Sequence, residues 1–198
     1  LIWGFTGILG GLISIDANEI TFFRTGIAFI SLVLLAFFFK SDKSLTAKQI
    51  LWLLLTGVIV GLHWITFFYS IKISTISIAV VCMSASTLFT SFLEPLIFKR
   101  RYYLSEAILS VAVSIGVLVI FGFETSYTSG IIFGLISAFL SAAFNTLNGM
   151  FVKEMPSLKI TKYEMLGGFL TAGAFLFFTD NLTGSTFDLN NTDWIYLL

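Results

Sequence analysis

The sequence predicts an all-α fold, a polytopic helical bundle in a membrane, and three observations predict it. First, hydrophobic residues make up 57% of the chain and charged residues 11%, against roughly 45–50% and roughly 25% in soluble domains. Second, apolar runs of about 20 residues recur along the chain, each long enough to cross a ~30 Å hydrocarbon core at ~1.5 Å per residue. Third, Lys and Arg fall in alternate loops. A soluble domain is excluded. The formal net charge is zero, so charge balance points to no nucleic-acid or acidic partner. The single cysteine, Cys82, sits inside an apolar run and can form no intrachain disulfide.

Taken in order, the chain reads as seven spans and the beginning of an eighth. The first runs from Leu1 to about Ile15 and contains Gly4, Gly7, Gly10 and Gly11, followed by a turn at Asp16-Ala17-Asn18-Glu19. The second is Ile20 to Phe39 and holds Arg24, and Lys40 to Gln49 is a loop. Spans three and four form a hairpin between Ile50 and Arg101, broken at Lys72-Ile73-Ser74 and closed by Lys99-Arg100-Arg101. Pro95 is placed to kink the fourth. The fifth span is Ser105 to Phe123, the sixth Gly130 to Val152, and the seventh Tyr163 to about Phe178. A polar stretch, Thr179 to Thr192, precedes Asp193-Trp194-Ile195-Tyr196-Leu197-Leu198, which reads as the start of the eighth. The chain begins at Leu1 within an apolar run, so it is expected to be a fragment, and any signal peptide or anchor would lie outside it.

The loops set the orientation. Lys40, Lys43, Lys48, Lys99, Arg100, Arg101, Lys153, Lys159 and Lys162 all fall on one side. The opposite loops hold Lys72 and the acids Asp16, Glu19, Glu124, Asp180 and Asp188. Nine basic residues against one predict that the basic loops are cytoplasmic.

An internal repeat accompanies this topology. Glu19–Phe38 laid over Lys159–Phe178, an offset of 140, gives five identities in twenty positions: Ile20/Ile160, Thr21/Thr161, Phe29/Phe169, Phe37/Phe177 and Phe38/Phe178. The second span runs inward and the seventh outward. The repeat unit therefore has an odd number of spans, five, and must be inverted in the membrane. Arg24 aligns with Glu164, but inversion puts them near opposite faces, so they are not expected to pair.

Residues His63 to Arg101 resemble the EamA-type transporters of the drug/metabolite transporter superfamily. The resemblance rests on Phe67-Phe68-Tyr69-Ser70-Ile71-Lys72 followed by the Ser/Ala-rich run Ile73 to Phe98, with Trp3-Gly4 and Phe23-Arg24 in support. The chain departs from that family at Thr87, where Pro is common, and at Lys99-Arg100, where an acid is common. Glu94-Pro95 comes a turn earlier, and the family acid's role is not transferred to Glu94. The resemblance implies ten spans in two inverted five-helix halves around a central pathway, of which about seven and a half spans are present. Residues 1–123 would form the first EamA-like repeat and 130–198 the start of the second, both truncated. It also implies a bacterial inner (plasma) membrane location.

Helical spacing picks a polar face on three spans. Ser77, Ser84, Thr87, Ser91 and Glu94 form one on the fourth; Thr56, His63, Thr66 and Ser70 form one on the third; Ser137, Ser141, Asn145 and Asn148 form one on the sixth. Such hydroxyls either line a pathway or bond back to their own helix and glue helices together. Asn145 and Asn148 point to the pathway, because an amide has four hydrogen-bonding sites to satisfy. His63, the only histidine, lies ~12 Å along its helix from the outer end. It is a candidate for proton carriage or substrate binding, or else a neutral ring bonded to a neighbouring hydroxyl. Trp3, Trp64 and Tyr69 are candidate aromatic walls, or interfacial aromatics facing lipid. Arg24 and Glu94 are candidates for gating or coupling. The alternatives are an Arg24 reaching Asp16 or Glu19 and a Glu94 pairing with Arg100 or Arg101. Gly57 and Gly61, like Gly134, Ala138 and Ala142, fit close helix packing. Asn181-Leu182-Thr183 and Asn190-Asn191-Thr192 match glycosylation sequons.

The expected function is secondary transport, the export of small metabolites, amino acids or drugs by alternating access around a central site. No G-x-x-x-x-G-K-[ST] is present, so ATP is not the direct energy source within this sequence. Protons are a candidate coupling ion and a second copy of the chain a candidate partner; no cofactor or metal is expected. The alternative is a membrane-embedded receptor, scaffold or enzyme without transport. One His, no H-E-x-x-H and no G-x-S-x-G argue against the enzyme.

Overall fold

The computed structural model describes residues 2–39, 44–123, 125–179 and 189–197. Lys40, Lys43, Glu124, Asp180, Asp188 and the first sequon lie outside the described residues. Among the described residues the fold is all helix: α1 (Ile2–Leu12), α2 (Ala17–Phe38), α3 (Ala47–Ile73), α4 (Ile76–Met83), α5 (Ser86–Phe98), α6 (Leu104–Phe123), α7 (Thr128–Phe151), α8 (Ser157–Phe178) and α9 (Asn191–Leu197). A single 3₁₀ turn, Thr125–Tyr127, leads into α7. Among the described residues four stretches are long and apolar enough to cross a bilayer: Ala17–Phe38, Ala47–Ile73, Ile76–Phe98 and Thr125–Phe151. The molecule is a polytopic membrane bundle.

Local chemistry sets most helix starts. The backbone N–H of Asp16 donates to Glu19 Oε2 at 2.9 Å at the start of α2. Thr46 and Gln49 form a reciprocal capping box, Thr46 N–H to Gln49 Oε1 at 2.9 Å and Gln49 N–H to Thr46 Oγ1 at 3.3 Å. This box starts α3 three residues before the span expected at Ile50. The seventh span was expected from Tyr163, but α8 begins at Ser157, directly after Pro156 with φ −64°, a residue whose fixed φ suits a helix entrance. The first two turns of α8 therefore carry Lys159 and Lys162 into the helix.

The fourth span is not one helix. It breaks at Ser84-Ala85, between α4 and α5, where the bonding tightens to Ser84 N–H→Val81 O, Ala85 N–H→Cys82 O and Thr87 N–H→Ser84 O. These are three-residue spacings, the 3₁₀ pattern. Pro95, expected to kink this span, instead sits inside α5, which continues to Phe98. The physical reason is the Ser84-Ala85-Ser86-Thr87 run. The Ser84 hydroxyl donates to Val81 O at 2.6 Å and the Thr87 hydroxyl to Ser84 O at 2.8 Å, competing for the carbonyls that an α-helix needs. Lys99 ends α5 in the left-handed conformation, φ 51°.

α3 is the central post. On one side it crosses α8 so closely that a Cβ on Gly57 would sit 2.5 Å from the Glu164 carbonyl and 2.8 Å from Gly167 Cα. Gly61 and Gly168 repeat the approach a turn away, at 3.0 Å, the small-residue packing that membrane helices use. On its other side α3 meets α7, where Gly130 and Gly134 lie against Ser74 and Ser70. The Ser70 hydroxyl donates to Gly130 O at 2.7 Å. α2 packs on α8 through Phe22 and Phe169, stacked with centroids 4.4 Å apart. α4 and α5 lie along α7, with Phe89 edge-on to Phe139 at 5.4 Å. α6 touches the bundle mainly through α5 and also α4, and its Ile108, Leu109 and Val111 are exposed, as a lipid-facing helix requires.

The largest buried apolar cluster joins Ile13, Ile15, Ile20, Phe67, Phe68, Ile71, Ala79 and Leu197. It lies where α1, α2, α3 and α9 converge, at the end of the bundle with the acidic loops.

Candidate functional site

A cavity of about 540 Å³ opens between α1, α3, the α4–α5 break and α7. α3 supplies His63, Trp64, Phe67 and Phe68, which share one helix face at spacings of one, four and five. The break supplies Met83, Ser84 and Ser86, and α7 supplies Ser141 and Asn145, one turn apart. Thr6 of α1 and Val80 of α4 complete the wall. Aromatic rings and the His63 imidazole thus come from α3, and hydroxyls and an amide come from the break and α7. Asp, Glu, Lys and Arg are absent from the described lining.

His63 is held from α7. Its Nδ1 lies 2.9 Å from the Ser137 carbonyl and 2.8 Å from the Ser137 hydroxyl, and that hydroxyl donates to the His63 carbonyl at 3.0 Å. A carbonyl only accepts, so Nδ1 carries the proton and Nε2 is left as an acceptor. Phe67 and Phe144 flank the ring, with centroids 6.3 and 5.5 Å away. Asn145 donates through Nδ2 to the Ser141 carbonyl at 2.9 Å, which orients its amide and leaves Oδ1 as an acceptor.

The acidic-loop end of the cavity is pinned shut. Phe67 and Phe68 form its floor and belong to the apolar cluster beyond. Asp193 of α9 accepts from the Ser14 N–H at 2.9 Å and from the Ser14 hydroxyl at 2.6 Å. Lys72 donates to the Ile13 carbonyl. Arg24 was expected to reach Asp16 or Glu19 and does neither. It donates to the Tyr196 carbonyl at 3.0 Å and its guanidinium lies over the Phe68 ring at 5.4 Å. Glu19 accepts from the Asp16 N–H through Oε2 and its Oε1 is buried without a partner, while α9 brings the Tyr196 carbonyl to Arg24.

The remaining candidates lie elsewhere. The Trp3 side chain is outside the described residues. Tyr69 is exposed and meets Phe133 edge-on at 4.7 Å. Thr87 bonds back to Ser84, and Ser91 faces α6, 2.7 Å from the Ser110 hydroxyl. Glu94 pairs with Arg100 at 2.9 Å, and Glu106 shares the same guanidinium at 2.9 Å. The Glu106 and Glu94 carboxylates hold Arg100 above its ordinary pKa. Asn148 donates through Nδ2 to Glu164 Oε2 at 3.2 Å. So His63, Trp64, Ser84 and Asn145 meet in one cavity, and Tyr69, Thr87, Ser91, Glu94 and Asn148 do not line it.

Sequence reasoning passed over Thr6, Ser86, Met83 and the Phe67-Phe68 floor. The two phenylalanines had a signal, since they fall on the His63 face, but 23 Phe residues drowned it. Among the described residues no group of three or more His, Cys, Asp or Glu side chains could hold a metal ion.

The family model described as the EamA-like transporter family matches residues 1–122. No curated protein and no solved structure matches the chain.

Proposed function

The chain belongs to the EamA-like transporter family of the drug/metabolite transporter superfamily, and from that premise we propose that this integral membrane protein is a secondary exporter working by alternating access. The cavity carries the reading. Its ~540 Å³ lies within the ~300–1,000 Å³ range of small-molecule sites. Its lining, which combines aromatic rings with hydrogen-bonding groups, suits a small metabolite, amino acid or drug with an apolar body and a neutral polar edge. His63 through Nε2 and Asn145 through Oδ1 accept from the solute, Trp64 packs on it, and Ser84 sits at the break that lets α4 and α5 move separately. Asn148, Ser91 and Thr87 act around this centre as helix-positioning contacts, and Tyr69 and Glu94 outside it.

We further propose the ten-span arrangement of two inverted halves, with 1–123 in the first and 130–198 opening the second. Helix contacts support it. If α1, α2 and α3 correspond to α7, α8 and α9, a two-fold axis must turn each contact into another. The contact of α3 with α7 becomes α1 with α9, that of α3 with α8 becomes α2 with α9, and α2 with α8 maps onto itself, and these are made; α2 with α3 and α1 with α3, which would become α8 with α9 and α7 with α9, have no counterpart of similar extent at the seven-residue α9. At the α2–α8 crossing Thr25 meets Gly168 and Gly26 meets Phe169, pairs 143 positions apart, within a turn of the 140 offset. The axis would pass through that crossing.

In this arrangement the pinned acidic-loop end is the outer gate, with Arg24 fastening α2 to α9. The basic loops face the cytoplasm, the membrane is the bacterial inner membrane, and the cavity loads from inside. Coupling is to protons or to exchange, and a homodimer is compatible with the exposed outer faces. Flux of a solute panel into vesicles containing the protein tests the proposal, with Asn145→Leu and His63→Ala beside the native chain. At least one solute should cross faster than in protein-free vesicles and should slow in both variants. No protein-dependent flux for any solute, with the chain folded and inserted, would favour a receptor or scaffold.

A further inference from the structure

Away from the cavity wall, α7 and α8 bring together two side chains that only partly satisfy each other. Glu164 is 3% exposed. Its Oε2 accepts from Asn148 Nδ2 at 3.2 Å. Its Oε1 is buried without a partner, and so is Asn148 Oδ1. The two orphans are both acceptors, on facing side chains already joined by one bond. The burial is built in, since the absence of a Cβ at Gly57 lets the α3 backbone close over Glu164.

An ionised Glu164 would leave a buried charge with one neutral donor, and among the described residues no ion pair to it is made: Lys153, after α7, lies over the Phe98 ring. On α3, His63 is committed to Ser137 and Lys72 to the Ile13 carbonyl. Lys48 stands nine residues before Gly57, ~13 Å along the helix. On α2, Arg24 bonds Tyr196 and Glu19 bonds the Asp16 N–H. On α8 itself, the Lys162 ammonium lies over the Tyr163 ring and Lys159 is five residues before Glu164. Turning the Asn148 amide over does not help, because it only exchanges which carboxylate oxygen meets the N–H and which meets the amide oxygen. One added proton resolves everything. An O–H at Oε1 donates to Asn148 Oδ1 while Nδ2–H continues to donate to Oε2, closing a two-bond acid–amide ring in which no acceptor is left over.

We propose that Glu164 and Asn148 form a proton-binding site, in which Glu164 is held as the neutral carboxylic acid by its amide partner. Asn148 is one turn along α7 from Asn145, which lines the cavity, so loss of the proton would break the ring and free the α7–α8 contact beside the solute. That coupling step rests on the cavity being the transport pathway; the proton site does not.

Infrared difference spectroscopy of the full chain in vesicles tests the site directly. Near neutral pH, in sodium-free buffer, the native chain should show the carbonyl band of one protonated carboxyl per chain that Glu164→Gln lacks. In Asn148→Leu the band should shift, since its hydrogen-bond partner is gone. Superimposable native and Glu164→Gln spectra across the protonated-carboxyl region would overturn the proposal. So would a band that disappears when sodium is added, which would make the pair a cation site. For the coupling step, flux in Glu164→Gln should lose its response to an imposed pH gradient while solute exchange persists; an unchanged response would overturn it. Absence of flux in the native chain would count against the transport reading alone and leave the infrared result standing.

Discussion

His63 illustrates how a buried polar side chain can be structural and functional through different atoms. Nδ1 ties α3 to α7 through Ser137, and the same bond fixes the tautomer that makes Nε2 an acceptor. Removing the ring costs both, so His63→Ala should reduce flux about tenfold or more while the protein still reaches the membrane. The estimate follows from ~1–3 kcal/mol for leaving a buried group unpartnered, with ~1.4 kcal/mol per factor of ten. Flux per membrane-resident molecule measures it, and unchanged flux would remove His63 from the pathway. Glu94 is the opposite case. It shares Arg100 with Glu106 at the end of the bundle where the basic loops lie, where solvent screens ion pairs. Glu94→Gln should leave flux and thermal stability near the native values, and a large flux loss would give Glu94 the coupling role argued against here. The identity of His63 as the central polar residue was legible from sequence, because uniqueness and depth are sequence properties. Its partner was not, since nothing in periodicity says which helix faces it. The same holds for Arg24, whose partner Tyr196 is 172 residues away.

Among the elements, α3 and α8 define the bundle because neither carries a side chain where they cross. A methyl at Gly57 would meet backbone, not a movable side chain, so Gly57→Ala should destabilise the molecule by about 1–3 kcal/mol, the usual cost of overpacking. Gly116 on α6 has nothing within 4 Å of a Cβ position. Gly116→Ala should therefore be neutral or stabilising, by up to ~1 kcal/mol from helix propensity. Thermal unfolding in detergent compares the two, and equal effects would mean that α3 and α8 do not cross at glycine contact. Gly57 and Gly61 were readable as packing residues from their spacing of four; that their partner was Gly167-Gly168 was not. The broken fourth span shows a different limit. Pro95 is the conventional breaker, yet the hydroxyl-rich run Ser84–Thr87 places the break eleven residues earlier, at Ser84. Hydroxyl competition for carbonyls depends on rotamers that a sequence does not display. The early starts of α3 and α8 were legible and were passed over: Thr46-x-x-Gln49 and Pro156 are both helix-start signals.

At the scale of the whole molecule, hydropathy contained the order of the helices seen among the described residues, and the chain belongs to the EamA-like family. Reporter fusions in the Lys99–Arg101 and Lys153–Pro156 connections should report cytoplasm, and fusions after Phe178 the opposite side; a reversed pattern would invert the proposed direction of loading. What the sequence concealed is the state of the molecule, because it depends on contacts between distant ends. Ser14 and Asp193 are 179 residues apart and close the acidic-loop end together. If the protein works by alternating access, that closure must open once per cycle. The most direct test is solute flux through the Ser14→Cys, Asp193→Cys double variant in a Cys82→Ala background, measured oxidised and reduced. Flux should stop when the disulfide joins α1 to α9 and return on reduction. Undiminished flux with the crosslink fully formed would contradict alternating access through this cavity.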